Sequence, residues 1–164
     1  MSQENQVRYE VPTELRNNLD KFAASMGMSG LPWDDEAHCC LVFDGKLRLH
    51  LQYDFNREAV LLYADLGPLP EDRREEALEV MMRGNLFWRA TRGATLSLHG
   101  DPETNVLLAD RLATYELTPV LMEKTVEHLL ATAEDWTEYL AVGGGAVGEA
   151  PAADDSVSIF NLRV

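Results

Sequence analysis

The strictest constraint on the fold is a segment of alternating polarity that follows a tight-turn signal. From Leu47 to Tyr53, apolar residues occupy every second position and polar residues lie between them. This period of two puts the apolar side chains on one face of a β-strand, with the other face in solvent. Asp44-Gly45 precedes the segment, and this dipeptide favours a type I′ turn because both central positions need a positive φ. The pattern therefore predicts a hairpin between residues 39–43 and 47–53.

The other segments alternate between helical and strand-like patterns. Apolar residues at helical spacing predict three helices, at about residues 13–26, 70–86 and 118–142. Short apolar runs bounded by turn residues predict three further strands, at 59–66, 94–98 and 105–111. The resulting order, α-β-β-β-α-β-β-α, predicts an α+β fold with a twisted antiparallel sheet.

The charge balance limits the classes of partner. The chain of 164 residues suits one domain, and it has 28 acidic and 14 basic side chains, for a net charge of -14. Such a surface repels phosphate backbones and anionic lipid, which argues against nucleic acid and membranes as partners. The N-terminus lacks the apolar core of a secretory signal, and no apolar run approaches the ~18 residues of a membrane span. The only two cysteines are adjacent, so no disulfide framework indicates an oxidising compartment, and we expect a cytosolic protein.

Composition divides the chain into a domain and a tail. Residues 1–143 contain the periodic elements, whereas residues 144–164 are rich in Gly, Ala and acidic side chains and predict a flexible tail. Within the tail, Ser156–Val164 is apolar enough for a short strand that could occupy a groove or the sheet edge of a second protomer. A frayed terminus is the alternative interpretation.

No motif in the sequence predicts an enzyme. C-x-x-C, H-E-x-x-H and Walker sequences are absent. In a strand, His38 and Cys40 share a face whereas Cys39 points to the other, so a nucleophile with a neighbouring histidine would use Cys40. The acidic run from Asp34 to Glu36 lacks the spacing of a calcium loop. We predict a non-enzymatic protein without cofactor or metal, and the alternative is a small enzyme that uses Cys40 or the 34–36 run.

Four local motifs accompany this order of elements. They are Met26-Gly27 with Leu31-Pro32, Gly67-Pro68-Leu69-Pro70, Asn85-Leu86-Phe87-Trp88 with Gly93-Ala94-Thr95-Leu96, and Ala133-Glu134-Asp135-Trp136. Together, over about residues 13–142, the chain resembles the class I type III secretion chaperones of the Tir chaperone (CesT) family. The resemblance implies a homodimer in the bacterial cytosol that binds the N-terminal segment of a secreted effector without ATP and keeps it extended for export. Components of the secretion apparatus would be further partners.

Apolar residues in excess of one core-facing stripe indicate where such partners bind. The second helix is apolar over a wider arc than a single stripe needs, and the predicted dimer contacts are Leu78, Met81, Met82, Leu86 and Trp88. The predicted effector contacts lie on the first helix and the first three strands: Leu15, Leu19, Phe22, Leu41, Phe43, Leu49 and Leu51. Burial in a monomer core is the alternative for both sets. An adaptor that binds a folded partner outside secretion is the alternative function.

Overall fold

The order of elements in the structure is the predicted one. The computed structural model describes residues 10–100 and 104–142. The helices are α1 (Thr13–Ser25), α2 (Arg74–Gly84) and α3 (Pro119–Val142), and the strands are β1 (His38–Phe43), β2 (Leu47–Asp54), β3 (Ala59–Pro68), β4 (Thr95–His99) and β5 (Asn105–Ala113). The strands form one antiparallel sheet in the order β1-β2-β3-β5-β4. Strands β1 and β4 are therefore its two edges.

The hairpin between β1 and β2 has the predicted turn and one additional residue. Asp44 and Gly45 have φ values of 49° and 68°, and the Lys46 N–H donates to the Phe43 carbonyl at 3.0 Å, which confirms the type I′ signal. The register pairs Phe43 with Leu47, so Lys46 stays in the loop. This extra residue keeps the apolar residues of both strands on one face, because a shift of one residue would reverse every side chain of β2 relative to β1.

The hydrophobic core lies on one face of the sheet and contains buried residues of all three helices. Helix α3 packs on β3 and β5, and α1 packs on α3. The largest fully buried side chains of the core include Trp136, Phe22, Leu19, Leu49, Leu51, Leu62 and Leu108. The strand residues among them occupy alternate positions and so point to the same face. At the intervening positions, residues such as His50 and Tyr63 are only partly buried, so the opposite face of the sheet is open in the part of the chain that the structure describes.

The predicted span of the second helix, 70–86, is too long at both ends. Leu69 is held extended because its N–H donates to the Thr104 carbonyl at 2.9 Å, and the helix begins only at Arg74. Its end is fixed by packing, since a Cβ at Gly84 would lie 2.7 Å from Cζ2 of Trp136. The segment that follows turns away from the helix axis at Leu86–Trp88.

The third helix starts close to its predicted position. Helix α3 begins one residue after the predicted start, and the Thr118 hydroxyl accepts a hydrogen bond from the Leu121 N–H at 3.1 Å, as an N-cap does. The predicted tail, 144–164, and its segment Ser156–Val164 lie outside the described residues, so the division into domain and tail stays a prediction. Among the helices that the structure describes, none is long and apolar enough to cross a bilayer.

Candidate partner-binding surfaces

A group of exposed apolar side chains lies at the end of α2 and in the turn after it. Met82 is 71% exposed, Leu86 58%, Phe87 64% and Trp88 53%. We call these four residues the α2 patch. Neighbouring exposed apolar residues are a feature of protein–protein contacts, so the patch is a candidate interface.

The backbone of the α2 patch is strained. Phe87 and Trp88 have φ values of 53° and 54°, a left-handed conformation that costs bulky residues about 1–3 kcal/mol. Hydrogen bonds to its neighbours hold the turn in place: the Trp88 indole N–H donates to Thr95 Oγ1 at 3.3 Å, and the Thr91 N–H donates to the Trp88 carbonyl at 3.3 Å. Such strain is concentrated at functional sites, which supports a binding role for the two aromatic side chains.

The turn is attached to the edge strand β4 by the side chain of Asn85. Its Oδ1 accepts a hydrogen bond from the Leu96 N–H at 2.8 Å, and its Nδ2 donates to the Leu96 carbonyl at 3.0 Å. Leu98, two residues further along the same face of β4, is 42% exposed. The α2 patch therefore lies beside an edge of the sheet.

The other edge, β1, presents free backbone groups. The Tyr53 N–H donates to the Ala37 carbonyl at 3.0 Å, so odd-numbered residues of β1 pair with β2 and even-numbered ones direct their backbone outward. At His38 these groups are already used, because Asp34 N–H donates to the His38 carbonyl and Asp34 Oδ1 accepts from the His38 N–H, both at 2.9 Å. The outward groups of Cys40 and Val42 have no such intramolecular partner among the described residues. The Val42 side chain is 59% exposed.

A chain of polar contacts crosses the open face of the sheet next to this edge. His38 Nδ1 lies 3.3 Å from Asp34 Oδ2, and His38 Nε2 lies 3.0 Å from His50 Nδ1. The His50 ring stacks on Tyr63 with the centroids 4.9 Å apart. The pKa of His50 is lowered mainly by its partial burial, and the neighbouring His38 and Arg48 lower it further. The hydrogen bond from the His38 N–H is the main cause that lowers the pKa of Asp34.

These contacts do not assemble a catalytic centre from the candidate residues. Cys39 is in the core, and burial raises the pKa of its thiol to about 12, so it is not a thiolate near neutral pH. Cys40 is partly buried on the face that holds His38, as the strand pattern predicts. The carboxylate of Asp34 accepts backbone hydrogen bonds from Glu36 and His38. Residues 10–100 and 104–142 contain no group of three or more His, Cys, Asp or Glu side chains that could hold a metal ion.

The two pKa shifts predict that the β1 end of the sheet loosens in acid. The folded-state pKa of His50 is lowered, so its contribution to stability is complete above the ordinary value of 6.5 and declines as the pH falls toward the lowered pKa. The contribution of Asp34 is present above its ordinary value of 3.8 and is lost as the pH falls through its lowered pKa. Amide exchange of β1 and β2 followed from pH 7 to pH 2 should show both steps. His50→Gln should remove the upper one, and an upper step that survives in this variant would contradict its assignment.

The structure places most of the predicted effector contacts in the core. Their side chains lie on the covered face of the sheet and on the inner side of α1, and six are buried: Leu15, Leu19, Phe22, Leu41, Leu49 and Leu51. In this conformation the protomer itself covers these six side chains. Phe43 is partly buried and lies at the end of β1. Direct effector contact by these residues stays a prediction, and Val42, which is 59% exposed on the other face of β1, was not among them.

The predicted dimer contacts separate into exposed and buried residues. Met82, Leu86 and Trp88 belong to the α2 patch, and Leu78 is partly buried. Met81 is only 4% exposed because it lies on the inner side of α2, so it contributes to the core. Phe87 was not among the predicted contacts, although its place between two other apolar residues was a usable signal.

The three helices and five-stranded antiparallel sheet have the arrangement of the type III secretion chaperones. A chain of the ExsC–ExsE complex matches with a TM-score of 0.67 and 23% identity, over 83% of this chain and 100% of that chain. A chain of the HopA1–SchA chaperone–effector complex matches with a TM-score of 0.65 and 23% identity, over 79% and 99%. A chain of the ExoT–SpcS complex from Pseudomonas aeruginosa matches with a TM-score of 0.59 and 19% identity, over 76% and 97%. At identities this low, the structural matches establish the fold alone.

Sequence similarity defines the family. Residues 17–137 match the Tir chaperone protein (CesT) family. Over 131 residues the chain is 31% identical to the Chlamydia pneumoniae protein CPj0713/CpB0740. The aligned region covers 79% of this chain and 98% of that protein. This chain belongs to the Tir chaperone protein family, a family of non-enzymatic type III secretion chaperones. The predicted family and the prediction of a non-enzymatic protein are thereby confirmed.

Proposed function

We propose that this protein is a dimeric chaperone of the bacterial cytosol that holds the N-terminal segment of a secreted effector in an extended form, without ATP. The observation that carries the proposal is the edge of β1, where Cys40 and Val42 direct backbone groups outward that have no partner among residues 10–100 and 104–142. An extended peptide adds to such an edge through its main chain and gains specificity from alternate side chains. A relative of the same fold was crystallised as the chaperone of a chaperone–effector complex, which supports this kind of partner.

The energetics of such a contact require several anchors. Each apolar side chain that is well buried on binding contributes about 1.5–3 kcal/mol. Ordering an unfolded segment costs about 2–5 kcal/mol of the gross interaction energy. The open sheet face beside β1 offers partly buried side chains for these anchors, including Leu61 and Tyr63. A segment that follows β1 and then crosses this face would collect enough contacts to remain bound.

The α2 patch is the proposed dimer surface. Its four side chains are exposed in the protomer, and burial against a second copy would remove a large apolar area from water. A dimer would also present two β1 edges, which lengthens the effector segment that can be held. The net charge of -14 keeps a protein with exposed apolar surface dispersed, because like-charged molecules repel one another.

The partner can be identified by affinity purification from the native bacterium followed by mass spectrometry. We expect a secreted protein that is recovered through its N-terminal segment, and a truncated form without that segment should be lost. Recovery of a compact folded domain, with no dependence on an N-terminal segment, would favour the adaptor function and overturn the proposal.

A proline at Val42 tests strand addition to β1. Proline removes the outward N–H of this residue, and edge strands tolerate proline where the N–H faces solvent. The affinity for the recovered effector segment should fall by about tenfold or more, which corresponds to roughly one lost hydrogen bond plus steric interference. Val42→Ala is the matched control, because it shortens the side chain but keeps the N–H. Equal affinities of the proline and alanine variants would show that the segment does not pair with β1.

A further inference from the structure

At each edge of the sheet, one residue occupies the outward backbone groups at one end of the edge strand. We propose that Asp34 and Asn85 are edge stops, residues whose hydrogen bonds to an edge strand determine where, and in which register, an extended partner can add. That an effector is the extended partner rests on the proposed function, whereas the stops themselves follow from the geometry of the protomer.

At β1 the stop is Asp34. Among the even-numbered residues, whose backbone groups point away from β2, His38 is the first. Both of its outward groups are occupied by Asp34, through the main-chain N–H and the carboxylate oxygen Oδ1, each at 2.9 Å. A strand that adds to β1 can therefore pair with Cys40 and Val42 but cannot continue past His38.

At β4 the stop is Asn85. The hydrogen bonds from its side chain to the N–H and carbonyl of Leu96 identify even-numbered residues as the ones that point away from β5. Within β4 the only other such residue is Leu98, since the strand comprises Thr95–His99. The asparagine amide thus occupies the place of a neighbouring strand's peptide group and leaves a single residue for pairing.

The two edges consequently favour different kinds of contact. At β1 two successive outward residues are open within the described part of the chain. The stop at His38 defines the register, which for a strand also decides which side chains face the sheet surface. At β4 one open residue is too short for a stable ladder, so a second molecule is directed to the side chains of the α2 patch. Native proteins block exposed edges in comparable ways to prevent unspecific pairing.

Asp34 and Asn85 need different substitutions to keep the hydrogen bond to the edge strand. Asp34 contributes its side chain only as an acceptor, so Asp34→Asn keeps an oxygen for the His38 N–H, whereas Asp34→Ala removes it. Asn85 is both acceptor and donor, so Asn85→Asp keeps the bond to the Leu96 N–H and loses the one to the Leu96 carbonyl. Asn85→Ala loses both bonds.

Hydrogen exchange of the full chain, measured by NMR without any partner, tests the stops. In the wild type the amides of His38 and Leu96 should be protected although they point away from the sheet. Asp34→Ala should accelerate exchange at His38, and Asn85→Ala should accelerate exchange at Leu96, each by roughly fivefold, as expected for the loss of a hydrogen bond. Asp34→Asn and Asn85→Asp should retain the protection at these same amides. Unchanged protection in both alanine variants would overturn the proposal.

Self-association provides a second readout for Asn85. Without the Asn85 side chain, Leu96 would join Leu98 as a residue open for pairing. Asn85→Ala should therefore form assemblies larger than the wild type by light scattering. Asn85→Asp should not, because its carboxylate beside the edge repels the carbonyl groups of a pairing strand. An Asn85→Ala variant of wild-type mass would contradict the role of Asn85 at β4. Since neither measurement needs an effector, a failed purification of effector would count against the proposed function alone.

Discussion

Met82→Glu combined with Trp88→Glu is expected to give a folded monomer. The two side chains are 71% and 53% exposed in the protomer, so glutamate at either position stays in solvent. The substitution also removes the exposed hydrogen bond from the Trp88 indole to Thr95, which is too weak for its loss to unfold the domain. In the proposed dimer both glutamates would be buried, where an unpaired charge costs several kcal/mol. Light scattering during size-exclusion chromatography should therefore give half of the wild-type mass, with an unchanged circular dichroism spectrum.

The controls for this experiment follow from burial. Val120→Glu introduces a charge at an apolar residue that is 62% exposed but outside the α2 patch, and it should leave the mass unchanged. Met81→Glu is unsuitable, because this residue is 4% exposed and a buried charge there would unfold the protomer. A double variant with the wild-type mass would exclude the α2 patch as the dimer surface.

Trp136→Ala is expected to cause the largest loss of stability of any single substitution considered, about 3–5 kcal/mol. The indole is completely buried, packs edge-to-face on Tyr139 with the centroids 5.5 Å apart, and donates its N–H to the Ala90 carbonyl at 2.8 Å. Alanine leaves a cavity and a buried carbonyl without its donor. Urea denaturation should show the loss as a lower midpoint.

A milder variant separates the two contributions of this tryptophan. Trp136→Phe retains an aromatic ring in the core but removes the donor for Ala90, so it should cost about 1–3 kcal/mol for the unsatisfied carbonyl in addition to a packing term. Trp88→Ala, which removes an exposed indole, should change the stability of the monomer by much less. If Trp136→Ala costs less than Trp88→Ala, the assignment of core and surface between these residues is wrong.

The sheet could be predicted well from the sequence because its signals are local. The alternation from Leu47 to Tyr53 and the Asp44-Gly45 turn are properties of neighbouring residues, and they define the hairpin. The ends of α2 depend on distant contacts, such as the approach of Gly84 to Trp136. Residues 71–73, 85 and 86 are all compatible with a helix, and proline is tolerated at a helix start. Propensity alone therefore predicts a second helix that is longer than the one in the structure.

The binding surfaces were harder to predict than the fold, for a physical reason. Periodicity shows which residues share a face but not whether that face is covered, so it predicts Leu41 and Leu49 as effector contacts although both are buried in the protomer. Leu41 and Leu49 share the face of Leu51, since all three have odd numbers in paired strands. Val42 lies on the opposite face and is 59% exposed. The left-handed backbone of Phe87 and Trp88 has no signal in sequence, because aromatic residues rarely adopt it.

The last residue of α2 and the segment that follows it contact α3 at successive points. Gly84 packs on the Trp136 ring, the Ala90 carbonyl accepts its N–H, and the Arg92 guanidinium donates to Thr132 and Asp135, both at 3.0 Å. The direction in which Phe87 and Trp88 project is therefore set by the longest helix and not by the short one that precedes them. In a dimer formed through these aromatic side chains, the position of α3 would therefore determine the angle between the two protomers. That angle would in turn determine the path between their β1 edges.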